Sequence, residues 1–389
     1  MENDNNLEEL WQESLAQWTA QGRERRLEVL IPLPGQRPLF RDAEGKTLLS
    51  FASNDYLGLS HHPALTLAAQ RVLQRGEASS AAAPLLGGER NLHHILAEEL
   101  ARWLGVEAVL LFGSGYLANL GILQTLVGPK DLILLDRLAH ASLIDGARLS
   151  GARIQRYRHN DMEHLAKLLA APRKGRAWIV TEGVFSMDGD LAPLPELCTL
   201  ARQQGAGLLL DEAHALGVLG ATGRGSVEHW GLSTDAVPVR MGTLGKAFGS
   251  YGAFVAGSRS LIQWLTQRAR SFVFHTALPA SQAACSLAAL AILRDAAPRR
   301  RHLDLLRQQL QALKVRGHWL PSSTPIQGLL LGSNERALAA ARILREHGIY
   351  CPAIRPPTVP EGSARLRISL SAAHRFPDLQ LLGKALLAL

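Results

Sequence analysis

The sequence predicts an α/β protein built on a mostly parallel sheet. Three observations carry that prediction. Between about 105 and 257, short β-rich runs alternate with helical stretches, which is the pattern of crossover units. The chain has 389 residues, more than the ~250–300 at which a single core stops growing, so two or three domains are expected. Hydrophobic residues make up 47% and charged residues 20%, a balance that gives a packed interior rather than a disordered chain.

Taken in order, the elements begin with a helix over 7–18, where Leu7, Leu10, Trp11, Leu15 and Trp18 recur at three- and four-residue steps, the period of one helical face. Pro32, Pro34 and Pro38 break that pattern, and a turn at Asp42 to Lys46 leads to the main body near Phe51. Strands are expected at AVLLF (108–112), DLILLD (131–136), AWIVT (177–181), GLLLD (207–211), VPVRM (237–241) and GAFVAG (252–257). After Pro279 come an alanine-rich helix, QGLLLG (327–332), a helix near Glu335 to His347, IYCPAI (349–354), RLRISLS (365–371) and a last helix. This divides the chain into a helical arm (1–50), a large domain (51–280) and a smaller α+β C-terminal domain (281–389).

Several function classes are set aside by composition. The least charged stretch, Ser271 to Leu293, is alanine-rich and interrupted by His275, Pro279 and Gln282, so no membrane span is expected. Glu2, Asp4, Glu8 and Glu9 stand where an export signal carries positive charge. Cys198, Cys285 and Cys351 are too dispersed for a zinc site or a disulfide framework; no metal is expected, and a reducing cytoplasm fits. The net charge is +8, but the basic clusters at Arg23, Arg25 and Arg26 and at Arg299 to Arg301 lack interleaved aromatics. That argues against a nucleic-acid partner.

In open parallel sheets, ligands bind beyond the carboxyl ends of the strands. The residues there are Gly113-Ser114-Gly115-Tyr116, His140 and Ser142, Glu182 and Ser186, Asp211 and His214, then Thr243 and Lys246. Lys246 is the only lysine between Lys174 and Lys314, and its neighbours are Gly, Ala, Phe, Thr and Leu. An apolar setting lowers a lysine pKa and makes the amine nucleophilic toward an aldehyde. Pyridoxal phosphate needs such a lysine, an acid to keep its ring nitrogen protonated, and donors at a helix N-terminus for its phosphate. Asp211, at the end of an apolar strand 35 residues before Lys246, suits the second role. His140 suits stacking on the ring and His214 the ring hydroxyl, while Gly115, Ser186 and Thr243 offer further donors.

Two other motifs compete. GSGYLA (113–118) with Asp136, 21 residues past Gly115, has the spacing of a nicotinamide-binding turn. It leaves Lys246, Asp211 and His214 without a task. Asp211-Glu212-Ala213-His214 spells a helicase signature, but the required P-loop is missing, since Phe40 and Arg240 occupy the first glycine positions before Gly45-Lys46 and Gly245-Lys246.

The strings SNDYLGLSHHP (53–63), DRLAHASLIDGA (136–147), TEGVFSMDGDLAPL (181–194), DEAHALGVLGATGRG (211–225), GTLGKAFGSYGAF (242–254) and AIRPPTVPEGSARLRISLSAAH (353–374) resemble the α-oxoamine synthases over nearly the whole chain. The resemblance implies the aspartate-aminotransferase-like fold (fold type I), pyridoxal 5'-phosphate as cofactor, and a homodimer with the site at its interface. It implies Lys246, His140 and Asp211 as catalytic residues and Gly115, Tyr116, His140, Ser186, Asp211, His214, Thr243 and Lys246 on the cofactor. It also puts Arg23, His140 and Thr358 on substrate, with Arg25 or Arg26 as alternatives to Arg23. RPPTVP (355–360) is most similar to members that join L-alanine to a pimeloyl thioester, on coenzyme A or acyl carrier protein, in biotin synthesis. Siblings take glycine or serine with other thioesters; a noncatalytic pyridoxal-binding protein is the rival of another class. The chain departs from the family at SSAAAP (79–84), where a glycine-rich loop is usual, and at Ala215-Leu216. Alanines and Pro84 restrict φ where glycine is free, so a loop of different shape near the substrate is expected.

Overall fold

The computed structural model describes residues 7–313, 315 and 317–389; Glu2 and Asp4 lie outside them. Seven strands form the main sheet, in the spatial order Ala108–Phe112, Ala253–Gly257, Val239–Thr243, Gly207–Asp211, Ala177–Glu182, Leu132–Asp136 and Arg153–Tyr157. All neighbours are parallel except Ala253–Gly257, which runs antiparallel to both of its partners. Helices cover both faces, so the inner strands are buried throughout: every residue of Leu132–Asp136 and Ala177–Glu182 is buried. That is why those segments read as continuous apolar runs. Asp136, Glu182 and Asp211 all end strands on this sheet, and a buried carboxylate is costly without partners, so each marks a place where the chain supplies donors.

The six expected central strands form with shifts of a residue or two. Arg153–Tyr157 was not expected, because RIQRY at the sheet's edge alternates charge with apolar residues and its exposed positions hide the strand. Segment 31–50 departs from a helical arm as well. Its strands Ile31–Pro32, Leu39–Arg41 and Thr47–Ser50 form a sheet completed in parallel by Ile349–Tyr350, so this stretch is tied to the C-terminal part. A third sheet gathers His318–Trp319, Ile326–Gly332, Ala364–Ser369 and Ala353–Ile354. The helix Leu7–Ala20 forms as its periodicity predicts, but none of its residues is buried and the apolar stripe stays open in the single chain.

The 79–84 loop shows how the chain accommodates its missing glycines. Ala81 adopts φ +53°, a conformation glycine enters freely and alanine does not. The loop is held there by Ser80 Oγ on Leu278 O (2.7 Å) and by Ala277 N on Ala82 O (2.9 Å). Ala81→Gly removes ~1–2 kcal/mol of left-handed strain and adds ~0.4–1 kcal/mol of unfolded-state freedom. A small net stabilisation is expected in urea titration, and Ala82→Gly, with no positive φ to relieve, should instead destabilise. Equal effects of both changes would contradict the strain.

Candidate active site

The carboxyl ends of the parallel strands bring the predicted side chains within hydrogen-bond reach of one another, and local sequence explains how each is delivered. Gly207–Asp211 delivers Asp211 at the sheet's rim. Its Oδ1 accepts the Ala213 N–H (2.9 Å) and its Oδ2 the Asn119 side-chain amide (2.9 Å), which also donates to Ser142 Oγ (2.9 Å). Two donors fix the carboxylate in place and offset the cost of burying it. In the neighbouring register position is Glu182, whose acidity is weakened well above the ordinary carboxyl value by burial and by the charge of Asp211. Glu182 Oε1 accepts the His140 backbone N–H (2.7 Å) and so holds the loop that presents His140. The His140 ring is turned by its Nδ1 toward Ser142 Oγ (2.7 Å); crowding by protein lowers its basicity, against the pull of Asp211.

Lys246 follows Val239–Thr243 in a turn in which Gly245 N donates to Thr243 Oγ1 (3.2 Å) and Thr243 Oγ1 donates to Gly252 O (3.1 Å). Burial lowers the Lys246 amine to about 8, while Asp211 and Glu182 pull the other way and Arg367 adds to the lowering. The apolar neighbourhood predicted this direction. Nζ lies 2.7 Å from His214 Nε2, and His214 Nδ1 lies 2.6 Å from Tyr56 Oη. His214 is fully enclosed; burial, then the charges of Lys246 and Arg367, take it well below the ordinary histidine value, so its ring is neutral. One proton arrangement satisfies the chain: Lys246 donates to Nε2, Nδ1–H to Tyr56 Oη, and the Tyr56 hydroxyl to Asn54 Oδ1 (3.1 Å).

At the far end of this chain is Arg367, from the buried strand Ala364–Ser369. Its Nε donates to Ser186 O (2.5 Å), Nη1 to Ser369 Oγ (2.7 Å), and Nη2 to Asn54 Oδ1 (3.0 Å) and Tyr56 Oη (3.3 Å). Among the described residues it has no carboxylate partner, although it is only 7% exposed. A buried guanidinium without a counter-ion is unusual, and it marks a place for an anionic group. Arg367, Asn54 and Tyr56 were not singled out from the sequence. The first lies in a run that reads as a core strand and the other two in a turn; their signal was the polarity of residues inside otherwise buried segments.

The remaining predicted residues are placed unevenly. Ser114 caps the helix Gly115–Leu126, its Oγ accepting the Leu117 N–H (3.3 Å). The Gly115 and Tyr116 amides have no partner among the described residues, as the first turn of a helix leaves them, and can serve an anion. Tyr116 Oη donates to Asp145. Ser186 is buried and meets Arg367 through its carbonyl. Thr358 lines a cleft of about 680 Å³ with Arg25, Arg137, His140, Arg156 and Ser186. Arg25, not Arg23, touches Thr358 there, Nη2 to Oγ1 at 3.0 Å; Arg23 instead pairs with Glu361 and stacks over Trp18. No cluster of three or more metal-ligating side chains occurs among the described residues.

The donor set fits pyridoxal phosphate: a desolvated amine, a fixed carboxylate, an imidazole at the cleft wall and free amides at a helix N-terminus. Together with the seven-stranded sheet, this defines a fold type I pyridoxal-phosphate enzyme. Residues 46–386 match the family described as aminotransferase class I and II. An 8-amino-7-oxononanoate synthase of Acidithiobacillus ferrooxidans is 58% identical over 380 residues, 97% of this chain and 98% of the relative. One from Alkalilimnicola ehrlichii is 49% identical, covering 95% of this chain and 94% of its own. Among solved structures, the serine palmitoyltransferase of Sphingomonas wittichii superposes with TM-score 0.91 at 29% identity, over 100% of this chain and 98% of that one. An 8-amino-7-oxononanoate synthase from Francisella tularensis gives 0.75 at 29% identity, over 87% and 97%. The chain belongs to the class I and II aminotransferase family and, within it, to the 8-amino-7-oxononanoate synthases.

Proposed function

We propose that this chain catalyses the decarboxylative condensation of L-alanine with a pimeloyl thioester, carried by coenzyme A or acyl carrier protein, in biotin synthesis. One observation carries the reading. The hydrogen-bonded chain Lys246–His214–Tyr56–Arg367 puts an exchangeable amine and an unpaired buried guanidinium in one site, and an α-amino acid presents the matching amino and carboxylate groups. The alanine and pimeloyl choices are supported by the names of the relatives above and by RPPTVP at the cleft.

Bound pyridoxal phosphate supplies the electron sink for a carbanion at the amino acid's Cα. The chain's residues do the rest. Lys246 Nζ, lowered to about 8 by burial, would hold the cofactor at rest and, once free, would act as the base that takes the Cα proton, the task for which a pKa near the working pH is best suited. Asp211, its carboxylate aimed by Asn119 and Ala213, would keep the ring nitrogen protonated. His140, its loop fixed by Glu182, would stack on the ring. Gly115, Tyr116, Ser186, His214 and Thr243 complete the hold on the cofactor. Arg367 orients the alanine carboxylate until it leaves as carbon dioxide. Arg25 and Thr358 meet the thioester end, and here Arg25 replaces Arg23 as the substrate arginine.

A homodimer completes the site in this reading. Phe274 is 72% exposed and Leu86 79%, and Tyr251 and Leu85 are also open; large apolar side chains left open in the single chain are what a partner subunit would cover. No helix among the described residues is long and apolar enough to cross a membrane, and three free thiols suit the cytoplasm. The boundary at 280 stands in this proposal, and strands 31–50 join the C-terminal unit through Ile349–Tyr350, which shortens the N-terminal arm expected over 1–50.

The experiment is to incubate the holoenzyme with L-alanine and pimeloyl-CoA and follow thiol and carbon dioxide together. Equimolar release of both is expected. Replacing alanine by glycine or serine should lower kcat/KM by about 10–200-fold, since a pocket discriminates one small group by only ~1–3 kcal/mol. Faster turnover with glycine or serine, or with acetyl- or palmitoyl-CoA, would overturn the substrate assignment.

A further inference from the structure

One histidine that the chemistry leaves unused is bonded at both ring nitrogens. His159 follows the edge strand Arg153–Tyr157. Its Nδ1 lies 2.9 Å from Asp136 Oδ1 and its Nε2 lies 2.7 Å from Asp190 Oδ2. A neutral imidazole has one N–H and would turn a lone pair onto one of these oxygens; a proton on each nitrogen satisfies both. The ring stands edge-on to Phe185, with centroids 4.4 Å apart and planes at 89°. Burial opposes a charged ring here, but the hydrogen bonds to Asp136 and Asp190 outweigh it and raise the group to about 9.

The two carboxylates belong to the two segments that build the site's walls. Asp136 ends its strand and its Oδ1 also accepts the Leu138 N–H (2.8 Å), opening the short loop that delivers His140. Asp190 closes the hairpin 184–191, in which Val184 bridges Leu191 and Phe185 N donates to Asp190 O (3.0 Å). That hairpin carries Ser186, whose carbonyl holds Arg367, and Asp188, which pairs with Arg365. Asn160 reinforces the joint. Its N–H donates to Asp136 Oδ2 (3.1 Å) and its side-chain amide to Asp190 Oδ2 (2.9 Å) and Leu191 O (3.1 Å).

We propose that His159, as an imidazolium clamped between Asp136 and Asp190, is a positioning residue that fixes the His140 loop against the Ser186 hairpin and thereby sets Arg367 for the amino-acid carboxylate. The consequence for the reaction rests on the roles given above to His140 and Arg367; the doubly protonated clamp does not. The titratable groups around the ring are Asp136 from the strand beside it and Asp190 from the hairpin, with buried Tyr157 beside Asp136. The neighbouring Arg158 is turned away to Asp161 (2.7 Å). Because the folded pKa is raised, the clamp's stabilisation is complete below the ordinary histidine value of 6.5 and is lost as pH rises through about 9.

The test reads the ring itself and then its effect. In holoenzyme labelled with ¹⁵N-histidine, with the His159 signal assigned by its loss in His159→Gln, both ring nitrogens should be protonated at pH 8 and titrate together near 9. Asp190→Asn removes one carboxylate and should move that titration toward the ordinary value; Asp136→Asn serves if that variant does not fold. KM for L-alanine should rise about tenfold as the ring deprotonates, at a pH that falls in the variant by as much as the ring's titration does, with kcat changing less than KM. The Lys246 titration is common to both proteins and cancels in the comparison. A ring carrying one proton at pH 8 overturns the clamp, whatever the substrate proves to be. A KM profile that stays in place when the ring's titration moves overturns the positioning role.

Discussion

Lys246→Ala is expected to lower turnover by at least ~10³-fold, because the variant loses both the amine that exchanges with the amino acid and the base that takes the Cα proton, and general-base catalysis alone is worth ~10²–10⁴. The geometry separates this loss from unfolding. Among the described residues Lys246 Nζ bonds only to His214 Nε2 (2.7 Å), and His214 keeps Tyr56 Oη on its other nitrogen (2.6 Å), so the pocket loses one side-chain hydrogen bond. Rates of thiol release, compared with melting temperature and retained cofactor absorbance, check the claim. A variant with a native melting temperature and turnover within tenfold of wild type would remove Lys246 from the chemistry.

Asp211→Asn should act differently. The amide cannot keep the ring nitrogen protonated, so the developing carbanion loses its stabilisation, and a fall in kcat of at least ~10² is expected, comparable to removing one preorganised charge-stabilising contact. Structure adds a second effect. Both Asp211 oxygens accept hydrogen bonds, from Ala213 N and from Asn119 Nδ2, and an asparagine must turn its NH₂ on one of those donors. That mismatch costs about 1–3 kcal/mol of stability, readable in denaturant titration. Cofactor should still bind through Lys246 and the amides of Gly115 and Tyr116. Near-normal kcat would show that another group holds the ring proton.

Much of this site was legible because parallel strands end where ligands bind. Asp211, His140 and Lys246 each follow an apolar run, so placing the run placed the residue. What was not legible needed the third dimension. Arg367 sits among residues that read as a core strand, and only its want of a carboxylate partner separates it from a structural arginine. Asn54 and Tyr56 lie far from Lys246 in sequence and reach it through His214. That Glu361 takes Arg23 and leaves Arg25 to Thr358 rests on pairings across more than 300 residues. The edge strand Arg153–Tyr157 escaped because its exposed positions carry charge. The stripe on Leu7–Ala20 was read correctly as helical, but periodicity tells which face is apolar and not what covers it. At 79–84 the alanines were expected to restrict φ and reshape the loop, yet Ala81 adopts a positive φ, in a segment held by bonds from Ser80 and Ala277 that sequence does not display.

The account's central claim is that Lys246 is the amine that holds the cofactor, at the end of the chain running through His214 and Tyr56 to Arg367. Borohydride reduction of the purified holoenzyme, followed by peptide mapping, tests it most directly. Reduction should bleach the visible absorbance and fix one equivalent of cofactor per chain on the peptide that contains Lys246, and prior addition of L-alanine should divert the label from that peptide to the amino acid. Label recovered on any other lysine, or a Lys246 peptide left unmodified while the cofactor remains bound, would contradict the account.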